Sequence, residues 1–89
     1  MSTEDYLNHP NFGLLFRICL VDERRELFTT LYAQRLFFVV TNGQEGFEFE
    51  PLSRTEARIL VESRLRNLRR LGQTSDYNPL QVTYKSLFQ

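Results

Sequence analysis

The sequence is poor in the residues that usually carry chemistry. Its 89 residues include one cysteine, Cys19, and one histidine, His9. A lone cysteine cannot close an intrachain disulfide, and it excludes metal sites built on a pair or a quartet of cysteines. His9 has no second histidine to share a metal and no nucleophile placed beside it by a signature motif. The four glycines, Gly13, Gly43, Gly46 and Gly72, are scattered, so there is no glycine-rich phosphate loop. The longest apolar run, Leu36 to Val40, falls far short of the roughly 20 residues a membrane-spanning helix needs. The opening MSTEDYLNHP is acidic and polar, without the basic and apolar regions of a signal peptide. The expected setting is therefore cytoplasmic, away from membranes. A single small domain with no catalytic constellation reads as a non-enzyme, with no cofactor, metal site or catalytic residue expected.

Aromatic residues are plentiful: eight Phe and four Tyr. A chain of this length buries only about 60–65% of the surface its unfolded form exposes, so its core is thin. Rings that each bury roughly 150–250 Å² compensate for small size, and the same ring types anchor interfaces. The formal net charge is zero but unevenly spread. Residues 1–50 hold eight acids against four arginines, a net of −4, and residues 51–89 hold seven bases against three acids, a net of +4. A dedicated nucleic-acid binder more often carries an overall basic excess.

The chain changes period midway. From Phe12 to Val21, Leu14, Phe16, Ile18 and Leu20 alternate with Leu15, Arg17, Cys19 and Val21, the period of a strand. Asp22 to Arg25 reads as a turn. A second strand is expected over 26–35 and a third over 36–41. Asn42-Gly43 is a hairpin signal, with Gly46 closing the loop. A last strand, Phe47 to Glu50, is expected to stop at Pro51. Four or five short antiparallel strands imply a small curled sheet or barrel. In the second half, Ser53 and Glu56 have the spacing of a capping box. Ala57, Leu60, Val61, Leu65, Leu68 and Leu71 follow at helical spacing, and Gly72 marks a C-terminal stop. A second helix runs from about Ser75 to Phe88 with Tyr77, Leu80, Tyr84, Leu87 and Phe88 on one stripe. Its start is either Asn78, with Pro79 at the favoured first position, or Ser75, with one backbone bond lost. The fold class is α+β: a β part over 1–52, then a two-helix hairpin over 53–89.

Two features remain open to function. Arg54, Arg58, Arg64, Arg66, Arg69 and Arg70 read as a solvated helix face, a docking surface or a phosphate track. The segment Tyr32-Ala33-Gln34-Arg35-Leu36-Phe37-Phe38 supplies more large rings around a strand corner than a thin core can hold, and surface aromatics beside an arginine mark an interface.

These residues carry a resemblance. Tyr6-Leu7-Asn8-His9-Pro10 with Phe12-Gly13-Leu14-Leu15, Glu26-Leu27-Phe28 leading into Thr30-Leu31-Tyr32-Ala33-Gln34-Arg35-Leu36-Phe37-Phe38, and Phe49-Glu50-Pro51 followed by Glu56-Ala57-Arg58 through Arg64-Leu65-Arg66 to Leu68-Arg69-Arg70 are similar to the cyanobacterial PII-interacting protein X family. The resemblance covers nearly the whole chain. It implies a Tudor-like barrel followed by two helices, monomeric when free, with two mutually exclusive partners. One is the trimeric PII signalling protein, which sequesters the adaptor when 2-oxoglutarate is scarce. The other is the dimeric transcription activator NtcA, which it joins as coactivator, without touching DNA, when NtcA holds 2-oxoglutarate. The contact residues implied are Glu4, Tyr6, Tyr32, Gln34, Arg35 and Leu36, with Phe38 and Arg69. Helices able to swing from the barrel are also implied, and the charge split predicts a weak electrostatic hold between the two parts. The alternatives are a small RNA- or ribosome-associated barrel, for which the arginine helix speaks, and an obligate subunit of a larger complex.

Overall fold

A computed structural model describes residues 6–31 and 36–89. Five strands come first: β1 Tyr6–His9, β2 Gly13–Leu20, β3 Arg25–Thr30, β4 Phe37–Gly43 and β5 Gly46–Leu52. Two helices follow, α1 Arg54–Leu71 and α2 Thr74–Phe88. The strands form one antiparallel meander in the order β1-β2-β3-β4-β5, and the sheet curls into a half-barrel. Curling brings the two outer strands together through side chains: the His9 ring of β1 lies 4.8 Å from the Phe49 ring of β5. The fold is α+β, as expected.

Both sides of the sheet are covered by apolar groups. Leu15, Phe28, Phe38 and Val40 form a cluster inside the curl, flanked by Leu7 and Phe49. On the other side Cys19, Leu27 and Phe37 pack with Ala57, Val61, Leu65 and Leu68 of α1 and Leu80, Leu87 and Phe88 of α2. This explains why Phe37 to Val40 is a continuous apolar run: every residue in it is buried, alternately toward the curl and toward the helices.

The helices begin and end where their chemistry dictates. The Ser53 hydroxyl accepts from the Glu56 amide at 3.0 Å, and Glu56 Oε1 accepts from the Ser53 amide at 2.9 Å, completing the capping box. At the other end Gly72 has φ 73°. Its N–H donates to the Arg69 carbonyl at 3.1 Å and the Gln73 N–H to the Leu68 carbonyl at 3.0 Å. This paired closure needs a left-handed residue, which glycine supplies without a Cβ clash. Across the hairpin the Tyr84 hydroxyl donates to Glu62 Oε2 at 2.5 Å; that bond raises the Tyr84 phenol above its ordinary pKa.

Several local expectations are corrected. Tyr6–His9 is a strand, pairing Tyr6 with Phe16 and His9 with Gly13. The second strand ends at Thr30, while 32–35 lies outside the described residues. Leu15 and Cys19 do not share a face, because a bulge between Arg17 and Cys19 shifts the register: Arg17 pairs with Phe28 and Cys19 with Leu27. Asn42 and Gly43 are the end of β4, and the two turn residues are Gln44 and Glu45, closed by the Gly43–Gly46 pair. Pro51 lies within β5, tolerated because β5 is an edge strand whose outer side needs no N–H. Of the two starts left open for the second helix, the structure takes the earlier, beginning at Thr74 with Pro79 inside the helix, so the Ser75 carbonyl loses its usual i+4 donor. Among the described residues no ion pair ties the helices to the sheet. The ion pairs among the described residues are Arg17–Glu26, Arg25–Asp22 and Arg58–Glu62, each within the sheet part or within α1. Apolar packing and the stacked Phe37 and Phe88 rings, 5.5 Å apart, make that contact.

Candidate protein-docking face

The strand registers place three chain segments at one end of the sheet: the β1–β2 turn, the β3–β4 connection and the β5–α1 junction. At the β1–β2 turn, His9 Nδ1 accepts from the Asn11 amide at 3.0 Å and the Phe12 amide at 3.3 Å. Gly13 completes the turn with φ 79°. The His9 ring then contacts Phe12 at 4.9 Å and Phe38 at 5.0 Å. Histidine thus acts as a structural plug: one nitrogen caps the turn while the ring seals the mouth of the curl. Phe12, tilted against it, stays 51% exposed.

The β3–β4 connection is pinned on both sides. The Leu31 N–H donates to the Leu14 carbonyl at 2.9 Å, extending the β2–β3 ladder. On the return, the Leu36 carbonyl accepts two bonds, from Thr29 Oγ1 at 2.8 Å and from the Thr30 N–H at 3.1 Å. Leu36 itself is 40% exposed. Tyr6, 53% exposed, sits on the rung that runs through Phe16, Thr29 and Phe37. Strands β1 and β4 are three spacings apart, roughly 14 Å along a sheet, well within one interface of about 800 Å² per partner.

Of the residues expected to contact partners, Tyr6 and Leu36 are thus exposed at or near this end. Phe38 is 4% exposed and packs inside the curl against His9, Phe12 and Phe49. Its ring shapes the face from below and offers little surface to a partner. Arg69 is exposed in the last turn of α1. Glu4, Tyr32, Gln34 and Arg35 lie outside the described residues. Sequence reasoning gave no role to Phe12; its position between Pro10 and Gly13, in a turn too short to bury a ring, was the available signal.

Elsewhere the polar groups serve structure. Asp22 caps the β2–β3 turn, and its carboxyl is held below the ordinary value by the Arg24 amide first and then by the Arg25 side chain. Arg17 Nε lies 2.8 Å from Glu26 Oε2, an ion pair whose angle falls outside that of a hydrogen bond. Cys19 is buried beneath the helices, and desolvation pushes its thiol up to about 12 against the pull of Arg64 and Arg17. A cleft of about 310 Å³ beside it is bordered by Arg17, Arg64, Asp76 and Leu80. Among the described residues no three potential metal ligands come together, and no helix is long and apolar enough to cross a membrane.

The model of one protein family, PII-interacting protein X, matches residues 3–88. The chain belongs to that family. No curated protein matches it. Membership in the PII-interacting family makes protein interaction the business of this molecule and agrees with the exposure of Phe12 and Leu36 at one end of the sheet, with Tyr6 nearby, although Phe47 is exposed at the other end.

Proposed function

We propose that the protein is a non-catalytic nitrogen-signalling adaptor, acting in the cytoplasm, that docks on trimeric PII when 2-oxoglutarate is low and on the 2-oxoglutarate-loaded activator NtcA when it is high. The observation that carries this reading is the family match across residues 3–88. Tyr6 and Leu36, together with Tyr32, Gln34, Arg35 and Glu4, form the docking face. Tyr6 and Leu36 are apolar anchors, and Arg35 is a charged fork for a partner carboxylate. The 1–52 part carries this face, and the 53–89 hairpin covers the side of the sheet to which Phe37 and Leu27 point. One face for both partners makes their binding exclusive.

The RNA-associated alternative gains little from the helix that suggested it. Arg58 faces Glu62 at 3.9 Å, Arg70 donates to Asn67 at 2.9 Å, and the Arg54 guanidinium lies over the Phe88 ring at 5.3 Å. These engagements occupy Arg54, Arg58 and Arg70 and leave Arg64, Arg66 and Arg69 for any phosphate track, fewer than the six that suggested it.

Calorimetry of the protein against PII with ATP, with and without 2-oxoglutarate, tests the reading. Binding that 2-oxoglutarate abolishes and Tyr32→Ala weakens is expected. Absence of binding under both conditions overturns it, and binding to RNA that falls steeply with salt supports the alternative.

A further inference from the structure

One residue near the docking end combines complete burial with a polar role. Thr29 is 0% exposed, yet it sits in β3 among apolar neighbours, where valine has the same shape and a better strand preference. A buried hydroxyl must be hydrogen-bonded to be tolerated. The partner of this one is the main-chain carbonyl of Leu36, at 2.8 Å, seven residues along the chain. The same carbonyl also accepts the Thr30 N–H at 3.1 Å. Two donors therefore fix one peptide plane, and that plane belongs to an exposed residue of the proposed docking face. On the C-terminal side, the next residue, Phe37, is buried and stacked on Phe88.

We infer that Thr29 is a positioning residue for partner docking: its hydroxyl sets the peptide plane of Leu36, so that the Leu36 side chain is presented in one orientation. The inference rests on the docking reading above. Thr29 itself touches no partner, being covered on the sheet. The Thr30 N–H alone bonds one lone pair and leaves the plane free to tilt; the second, side-chain donor removes that freedom. An anchor held in place before contact loses less entropy on binding, which strengthens the complex without adding a contact.

The test compares wild-type protein with Thr29→Val and Thr29→Ser by calorimetry against PII with ATP and without 2-oxoglutarate, alongside thermal melting and amide hydrogen exchange. Thr29→Val keeps the volume and removes the donor, so the expected result is about a tenfold loss of affinity, faster exchange of the Thr30 amide, and a melting temperature within a few degrees of wild type. Thr29→Ser restores the hydroxyl and is expected to restore most of the affinity. Unchanged affinity in Thr29→Val overturns the inference, as does an affinity loss that Thr29→Ser shares in full. A wild-type protein that fails to bind PII overturns the docking reading and the positioning role with it, an outcome distinct from the other two.

Discussion

The two apolar clusters on either side of the sheet are built on different plans. The one inside the curl draws all its members from strands: Leu15, Phe28, Phe38 and Val40, closed over by the rings of His9, Phe12 and Phe49. The one on the outer side is a joint product, with three strand residues and seven helical ones. The first depends on the sheet curling on itself. The second depends on two helices being present, and none of the ion pairs among the described residues reinforces it. The difference teaches that this small chain holds its sheet together from within and uses the helices as an apolar cover.

That contrast can be broken or sharpened by substitution. The largest effect is expected for Phe28→Ala, which empties the centre of the inner cluster: about 4–5 kcal/mol of unfolding free energy, seen by urea denaturation as loss of the sheet and helices together. Phe88→Ala is next, at about 3 kcal/mol. It removes the stack on Phe37 and the seat of the Arg54 guanidinium, and its signature should differ, with faster labelling of the Cys19 thiol while exchange protection in β3 persists. Simultaneous loss of both would show that the two clusters are one cooperative unit.

Alkaline pH probes the outer cluster without a mutation. The Cys19 thiol is raised from 9.0 to about 12 in the folded protein. Below pH 9 the thiol is neutral in both states and the stability is complete. Between 9 and 12 the unfolded chain ionises while the folded one does not, so stability should fall by up to about 1.4 kcal/mol per pH unit. Comparing urea midpoints of wild type and Cys19→Val across that window isolates this contribution. The smallest effect is expected for Ser53→Ala, about 1 kcal/mol, since it removes the cap of α1 and leaves both clusters intact; a urea titration followed by helical circular dichroism measures it.

Much of this architecture was legible in the sequence because its determinants are local. Ser53 and Glu56 predict a capping box from spacing alone, and Gly72 a left-handed closure; both are present. The stripe of Leu80, Leu87 and Phe88 is buried as its period requires. What escaped was decided by neighbours. Tyr6–His9 is too short to show a period, and only pairing with β2 makes it a strand. Pro51 breaks a central strand but not an edge, and edges are not written locally. Pro79 left two helix starts open, and the helix takes the longer one, from Thr74. The proposed docking face comes mainly from resemblance to a family. Alternation alone places Leu36 and Phe38 together, whereas one is exposed and the other sealed beneath His9.

The irregularity at Ile18 also bears on how the chain tolerates change. Because of the extra residue between Arg17 and Cys19, β2 is read in two frames: odd positions up to Arg17 face the curl, and Cys19, odd as well, faces the helices. A systematic substitution scan along this strand would therefore show a phase slip, with sensitive and permissive positions exchanging parity at Ile18. Deleting that one residue would be gentler than its place inside a strand suggests: Arg17 would still face Phe28 and Cys19 would still face Leu27, so every later side chain of the strand would keep its present side.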